Sequence, residues 1–222
     1  MRMTTRPVLL LVAYCALAAL SACVDVVPRQ EQTVDGLVRV PETRADKVYA
    51  IPNLSLAKYN RLLLDPVKVS FVSGWQTQAG VTAADVTRIR ERAATVFREV
   101  FAKELTERGG YRLVDQAGAD VLYVHAEIMN LRITAPPTPP ASGERTFLVS
   151  ASDMTLMAEL RDSVSGALLV RAADMSKGRE LGDLRVVNQD TNTDEGRKAF
   201  AMWASLLREA LDSAKSAPPA AK

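Results

Sequence analysis

Apolar residues recur at helical spacing in two stretches of the chain. The stronger stretch predicts a helix from Thr82 to Arg108, because Thr82 with Asp85 three residues later is typical of a helix start and Gly109-Gly110 supplies a stop. Its apolar positions lie three and four residues apart: Val86, Ile89, Ala93, Val96, Phe97, Val100, Phe101 and Leu105. The second stretch predicts a helix from Thr193 to Lys215, capped by Thr193. Its buried face carries Phe200, Trp203, Ala204, Leu207, Ala210 and Leu211.

Shorter apolar runs between these helices predict strands. The run 61–71 is interrupted by Pro66, which lacks a ladder donor and indicates an edge or a break. A short strand is predicted at 111–114 and a long one at 120–134. The alternation of the long strand changes phase midway, so we predict a bulge or twist near Ile128. The runs 154–162 and 167–175 predict a hairpin whose loop closes at Gly166.

This order of elements predicts an α+β fold, with a mainly antiparallel sheet of four to five strands and two amphipathic helices packed on one face. We expect a signal peptide over residues 1–22, a lipidated N-terminus and flexible tether over 23–46, one periplasmic domain over 47–215 and a disordered tail over 216–222. A tether of this length holds a domain roughly 25–30 Å from its anchor.

The N-terminus has the three parts of an export signal. Arg2 and Arg6 precede an apolar run that starts at Val8, and small residues follow it. The run is shorter than the roughly 20 residues of a membrane-spanning helix. Its end, Leu20-Ser21-Ala22-Cys23, resembles the lipobox of bacterial lipoproteins. That resemblance implies cleavage before Cys23, a diacylglycerol thioether on its sulfur and an acyl chain such as palmitate on its amine.

The residue after Cys23 bears on the membrane to which the protein is sorted. Inner-membrane lipoproteins of enteric bacteria typically carry aspartate there, whereas this chain has Val24 and places Asp25 one residue later. By resemblance to that sorting rule, we expect the periplasmic face of the outer membrane.

Two further motifs resemble a known family. Gly118-Ala119-Asp120-Val121-Leu122 leads into the long strand, and the run 155–163 (TLMAELRDS) leads to Ser165-Gly166. Together they are similar to a proteobacterial lipoprotein family described only as a domain of unknown function, number 3313. The resemblance covers roughly residues 50–215 and implies no activity and no catalytic residues.

Charge and composition exclude some classes of function. Two of the 28 basic residues, Arg2 and Arg6, lie in the predicted signal, and the remainder balances 26 basic against 26 acidic residues. A neutral mature chain argues against a nucleic-acid partner, because such proteins need a basic surface. With Cys15 removed and Cys23 alkylated, the mature chain would hold no free thiol.

The sequence contains one histidine, His125, and no catalytic motif around it. His125 and Glu127 supply two metal ligands at most, whereas a zinc site needs three or four, so we expect no metal and no other cofactor. Alternation along the strands places a mixed polar set on the face away from the helices. We call this surface the open face: Tyr123, His125, Glu127, Thr155, Met157, Glu159, Arg161 and Arg171.

Three functions remain open at this point. We expect a non-catalytic scaffold or accessory module that binds another envelope protein through the open face, with Tyr123, His125, Glu127, Glu159, Arg161 and Arg171 as the contact residues. The alternative is an envelope ligand-binding protein or hydrolase with His125, Glu127 and Glu159 in one cleft. A third is a structural lipoprotein without a fixed partner.

Overall fold

The computed structural model describes residues 31–78, 81–134, 148–150, 154–175 and 189–216. The strands are β1 (Val38–Arg39), β2 (Lys47–Ala50), β3 (Arg61–Leu64), β4 (Lys68–Phe71), β5 (Arg112–Leu113), β6 (Val121–Thr134), β7 (Leu148–Ser150), β8 (Thr155–Asp162) and β9 (Leu168–Met175). The helices are α1 (Trp75–Gln78), α2 (Ala83–Lys103) and α3 (Gln189–Ser216), and one turn of π-helix, Glu104–Arg108, continues α2. The predicted signal peptide, Cys23 and residues 217–222 lie outside the described residues, so those expectations stay predictions.

The described strands form one mixed sheet in the order β1-β2-β9-β8-β6-β3-β5. The neighbours from β1 to β6 run antiparallel, whereas β3 and β4 run parallel to β6, and β5 runs parallel to β3. Strand β7 pairs with the last residues of β6. The α+β class is confirmed, but four to five strands and two helices were too few.

The parallel part of the sheet follows from the position of α2 in the chain. Parallel strands need a long crossover between them, whereas antiparallel strands need only a turn. Helix α2 lies between β4 and β5 and supplies that crossover. The predicted break at Pro66 is confirmed, since it separates β3 from β4, and both strands pair with β6.

Helices α2 and α3 pack on one face of the sheet. The buried β6 residues Leu122, Val124, Ala126 and Ile128 share a core cluster with Phe97, Phe101, Phe200 and Trp203 of the helices.

The predicted cap of α2 is confirmed, because the Thr82 hydroxyl accepts a hydrogen bond from the Asp85 N–H and the Asp85 carboxylate accepts one from the Thr82 N–H. The predicted cap of α3 is wrong, since the helix begins at Gln189 and Thr193 lies within it.

The phase change in β6 is confirmed as a bulge. Val69 pairs with Ile128 and Phe71 pairs with Leu131, so one residue of β4 opposes Met129 and Asn130 of β6. Asn130 has a positive φ of 57°, which asparagine tolerates better than most residues do. The extra residue returns Leu131 to the buried face.

A flexible tether up to residue 46 is contradicted for the described residues 31–46. Val38 and Arg39 pair with Ala50 and Tyr49 of β2. Gln32 forms a bridge with Val38, so residues 31–39 make a small hairpin at the edge of the sheet. Leu37 in this hairpin is fully buried, and the burial of its apolar side chain stabilises the segment on the domain.

Candidate functional site

The open face contains all six predicted contact residues on three adjacent strands. Tyr123 on β6 lies opposite Arg161 on β8, and His125 lies opposite Glu159. Glu159 in turn lies opposite Arg171 on β9. Within the described residues, the long helices occupy the other face of the sheet. The alternation in sequence therefore assigned these side chains to the correct face.

Glu159 is the centre of an ion-pair row across the open face. Its carboxylate accepts hydrogen bonds from Arg161 Nε at 3.0 Å and Nη2 at 2.8 Å, and from Arg171 Nε at 3.0 Å. Burial alone would raise the pKa of Glu159, but the two arginines outweigh burial and hold this pKa below its usual range. Arg161 also donates to the Gly166 carbonyl at 2.9 Å. These contacts fix the two guanidinium groups in place.

His125 is oriented by a residue that the sequence did not single out. Its Nδ1 lies 2.7 Å from Oδ2 of Asp65, in the segment between β3 and β4. The Tyr123 hydroxyl hydrogen-bonds to the same carboxylate, and burial followed by that bond raises the pKa of Tyr123 to about 12. A proton on Nδ1 leaves Nε2 as the acceptor, and the structure gives Nε2 no partner within the described part of the chain. His125 therefore offers one fixed polar atom from the open face.

The predicted cleft would bring His125, Glu127 and Glu159 together. Among the described residues, no hydrogen bond or ion pair joins His125 to either glutamate. Glu159 is held by two arginines, and Glu127 lies beside Met157 and Lys68 in the strand register. The carboxylate that contacts His125 belongs to Asp65 instead. Among the described residues, no group of three or more histidine, cysteine, aspartate or glutamate side chains is placed to hold a metal ion.

The N-terminal hairpin reaches the same face from its edge. Asp35 accepts a hydrogen bond from Arg171 Nη1 at 2.7 Å, which extends the charged row beyond β9. The Tyr49 hydroxyl donates to Glu31 at 2.7 Å, and the Arg39 guanidinium lies 5.6 Å from the centre of the Tyr49 ring. The hairpin thus borders the open face and is linked to it by charge.

Asp65 and Asp35 were missed by sequence reasoning for different reasons. Asp65 approaches His125 only because β3 and β4 pair in parallel with β6, a contact between residues 60 positions apart. Asp35 was assigned to the tether. The signal that could have identified the hairpin is the turn sequence Thr33-Val34-Asp35-Gly36, since Asp-Gly is a dipeptide typical of turns.

The motifs that resemble the family form structural contacts with each other. The Ser163 hydroxyl accepts from the Gly118 N–H at 3.1 Å and donates to the Gly118 carbonyl at 3.0 Å. Asp120 pairs with Arg61 at the start of β3. Asp162 accepts from Tyr59, from Lys58 and from two backbone N–H groups of its own turn. These residues join the turns at one end of the sheet.

The comparison with known families gives one clear assignment. The family model described as a protein of unknown function, DUF3313, matches residues 32–207, so the chain belongs to this family. The matched region includes the N-terminal hairpin from residue 32, in agreement with its place in the sheet. No curated protein matches the chain.

Solved structures offer only a distant likeness. A variant PelC dodecamer from Paraburkholderia phytofirmans is 14% identical, with 72% of this chain and 95% of that chain covered and a TM-score of 0.33. A second PelC dodecamer from that organism is also 14% identical, with 69% and 96% covered and the same TM-score. Neither value establishes a shared fold. Within the described residues, none of the helices has the length and hydrophobicity to cross a membrane.

Proposed function

We propose that this protein is a lipid-anchored lipoprotein of the bacterial outer membrane whose domain binds another envelope protein through the open face. It acts as a non-catalytic scaffold or accessory module. The anchor is diacylglycerol and an acyl chain on Cys23, and its support is the lipobox-like Leu20-Ser21-Ala22-Cys23 after an apolar run.

The observation that carries the docking proposal is the ion-pair row centred on Glu159. Arg161 and Arg171 are both held by this carboxylate, and their side chains are still 33% and 29% exposed. Side chains that are already fixed lose little conformational entropy when a partner covers them. Tyr123 and Met157 lie beside the row, and tyrosine, methionine and arginine are residue types that interfaces favour. We infer a protein partner with a flat, mixed polar and aromatic surface.

A second candidate function is ligand binding or hydrolysis at His125. The Asp65–His125 pair supports it, because a carboxylate that fixes one imidazole nitrogen leaves the other available as a base or acceptor. The docking proposal is preferred because Glu159 is already held by Arg161 and Arg171, and the carboxylate that contacts His125 belongs to Asp65.

Photo-crosslinking in living cells tests the docking proposal. A photoreactive phenylalanine analogue replaces Tyr123 on the open face, and in a matched control it replaces Arg92, which is exposed on α2. We expect one dominant crosslinked envelope protein at Tyr123 and none at Arg92. We also expect the product to disappear when Arg161→Glu is added, because that change reverses a charge at the contact.

A thermal melt of the purified Arg161→Glu protein shows whether the variant is folded, so that loss of the crosslink is not loss of the domain. The proposal fails if Tyr123 and Arg92 give the same products, or if Tyr123 gives none. It also fails if a folded Arg161→Glu variant crosslinks as well as the original.

A further inference from the structure

The direction in which the chain enters the sheet is defined by the N-terminal hairpin. The Arg39 N–H donates to the Glu31 carbonyl at 2.9 Å, and the Thr33 N–H donates to the Leu37 carbonyl at 2.8 Å, so residues 31–33 run antiparallel to β1. Since β1 runs antiparallel to β2, residues 31–33 run in the direction of β2. The chain therefore enters the edge of the sheet from the side of Lys47, where β2 begins.

The end of the sheet at Lys47 also contains the end of β9. Lys47 pairs with Ala173, and β9 ends two residues later at Met175. The Asp46 carboxylate accepts from the Met175 N–H at 3.0 Å, which ties the two chain segments together. We call this region the Lys47–Met175 end. The turn with Ser163 and Val164 lies at the opposite end, beyond the start of β9.

The chain between Cys23 and this entry point is short. Seven residues, 24–30, separate Cys23 from Glu31. Eight residue steps reach at most about 26–29 Å when fully extended, and a flexible chain of that length averages roughly 14–17 Å. Strand β9 is eight residues long, so its two ends, at Met175 and beside the turn with Val164, are about 23–26 Å apart. A flexible chain of eight steps thus has a shorter average reach than the length of β9.

We propose that the Lys47–Met175 end faces the phospholipid headgroups of the bilayer, with the strands upright and the opposite end directed away from it. This inference rests on the proposed lipid anchor at Cys23 and adds an orientation to it. The surface chemistry agrees, because Lys47 is exposed and Met175, a large apolar residue, is 50% exposed. Methionine and the stem of lysine both fit the boundary between headgroups and water. The open face then stands sideways to the membrane, accessible to a neighbouring protein.

Energy transfer to the membrane surface tests this orientation. The full-length lipoprotein carries a single introduced cysteine, Lys47→Cys in one variant and Val164→Cys in the other, and each is labelled with a donor dye. Both parent side chains are exposed, and Val164 is 67% exposed in the distant turn. Liposomes of phosphatidylethanolamine and phosphatidylglycerol contain a headgroup-labelled acceptor lipid. We expect loss of most donor fluorescence at residue 47 and retention of most of it at residue 164.

Equal transfer at the two positions, or stronger transfer at 164, overturns the orientation. A tether variant with about 20 added glycine and serine residues after Val27 should lower transfer at 47 toward the level at 164, since the longer linker frees the domain. If the longer tether leaves the difference unchanged, the short linker is not its cause and the inference is wrong.

Failure of the anchor itself has a different signature. If the protein does not float with liposomes, or if Cys23→Ser floats as well as the original chain, the lipid anchor of the proposed function is wrong. If the original chain floats, Cys23→Ser does not, and transfer is equal at 47 and 164, the anchor stands and only the orientation fails.

Discussion

The residues of the family motifs join turns of the chain through short hydrogen bonds. Gly118 and Ser163 satisfy each other with two hydrogen bonds, one in each direction. A side chain on Gly118 would also crowd this junction, because an added Cβ would lie 3.0 Å from Arg61 Nη2 and 3.2 Å from Val121. A glycine and a serine at these two positions therefore hold the β8–β9 turn against the start of β6.

Ser163→Ala should destabilise the domain by about 1–3 kcal/mol, because it leaves the Gly118 N–H without its acceptor and removes one of the two hydrogen bonds that the Gly118 carbonyl accepts, the other coming from the Val121 N–H. Val164→Ala, one residue away in the same turn, removes only exposed surface and should stay within about 0.5 kcal/mol. Urea unfolding of the two variants measures both values. Equal effects would show that the hydroxyl of Ser163 has no special role.

The candidate site could be predicted from sequence only in part. Strand alternation assigns Tyr123, His125 and Glu127 to one face, since neighbours two apart on a strand share a side. The same rule cannot place Asp65 beside His125, because that contact depends on which strands become neighbours. Asp65 is brought to the site by parallel pairing across a helical crossover, which local patterns do not encode.

Among the elements, the N-terminal hairpin makes a segment that was expected to be a linker part of the sheet. The sequence of residues 31–46 is polar and has no sustained periodicity, and so favours a linker. Its stability instead depends on one buried leucine and a few contacts with the sheet, such as Asp35 with Arg171. Longer elements such as α2 were predictable because the N-cap, the spacing of the apolar residues and the terminating glycines all indicate the same helix.

Leu37→Ala should lower the free energy of unfolding by about 2–5 kcal/mol, because it empties a fully buried site. The matched control is Val34→Ala at the tip of the same hairpin, where the side chain is fully exposed and the expected change is within about 0.5 kcal/mol. Chemical denaturation measures the free energy of unfolding of both variants. If Leu37→Ala leaves it unchanged, residues 31–39 are a linker and do not stabilise the domain.

At the scale of the whole molecule, several carboxyl groups have pKa values below their usual range. The causes are hydrogen bonds from Thr82 to Asp85, from Arg61 to Asp120, from Ser165 to Asp162 and from Arg44 to Glu209, and the two arginines that outweigh burial at Glu159. Burial shifts the pKa of three tyrosines in the opposite direction, since it raises the pKa of Tyr59, Tyr111 and Tyr123. Both trends stabilise the folded chain near neutral pH.

The melting temperature should therefore fall in acid and in alkali. A carboxyl group with a lowered folded-state pKa stabilises the fold above its ordinary pKa of about 4, and this stabilisation is lost as the pH falls through the folded-state value. A tyrosine with a raised pKa stabilises the fold below about pH 10, and this is lost as the pH rises toward the folded-state value, about 12 for Tyr123.

Thermal melts from about pH 3 to pH 11 measure both limbs of this profile. Tyr123→Phe serves as the control for the alkaline limb, because it removes one of the hydroxyl groups while keeping the ring. A melting temperature that is constant, or that rises at either extreme, would contradict the expectation.

Helix α2 also affects whether copies of the domain aggregate with one another. Strand β4 has no described neighbour on the side away from β6, and such a bare edge is a template for aggregation. Arg90 Nε donates to the Val69 carbonyl at 3.3 Å, and Arg98 Nη1 donates to the Leu64 carbonyl at 3.3 Å. Two arginines of α2 thus occupy one acceptor on β4 and one at the end of β3, and they place positive charge where a foreign strand would approach. Solubility at high local concentration is then a property of α2 as much as of the sheet it covers.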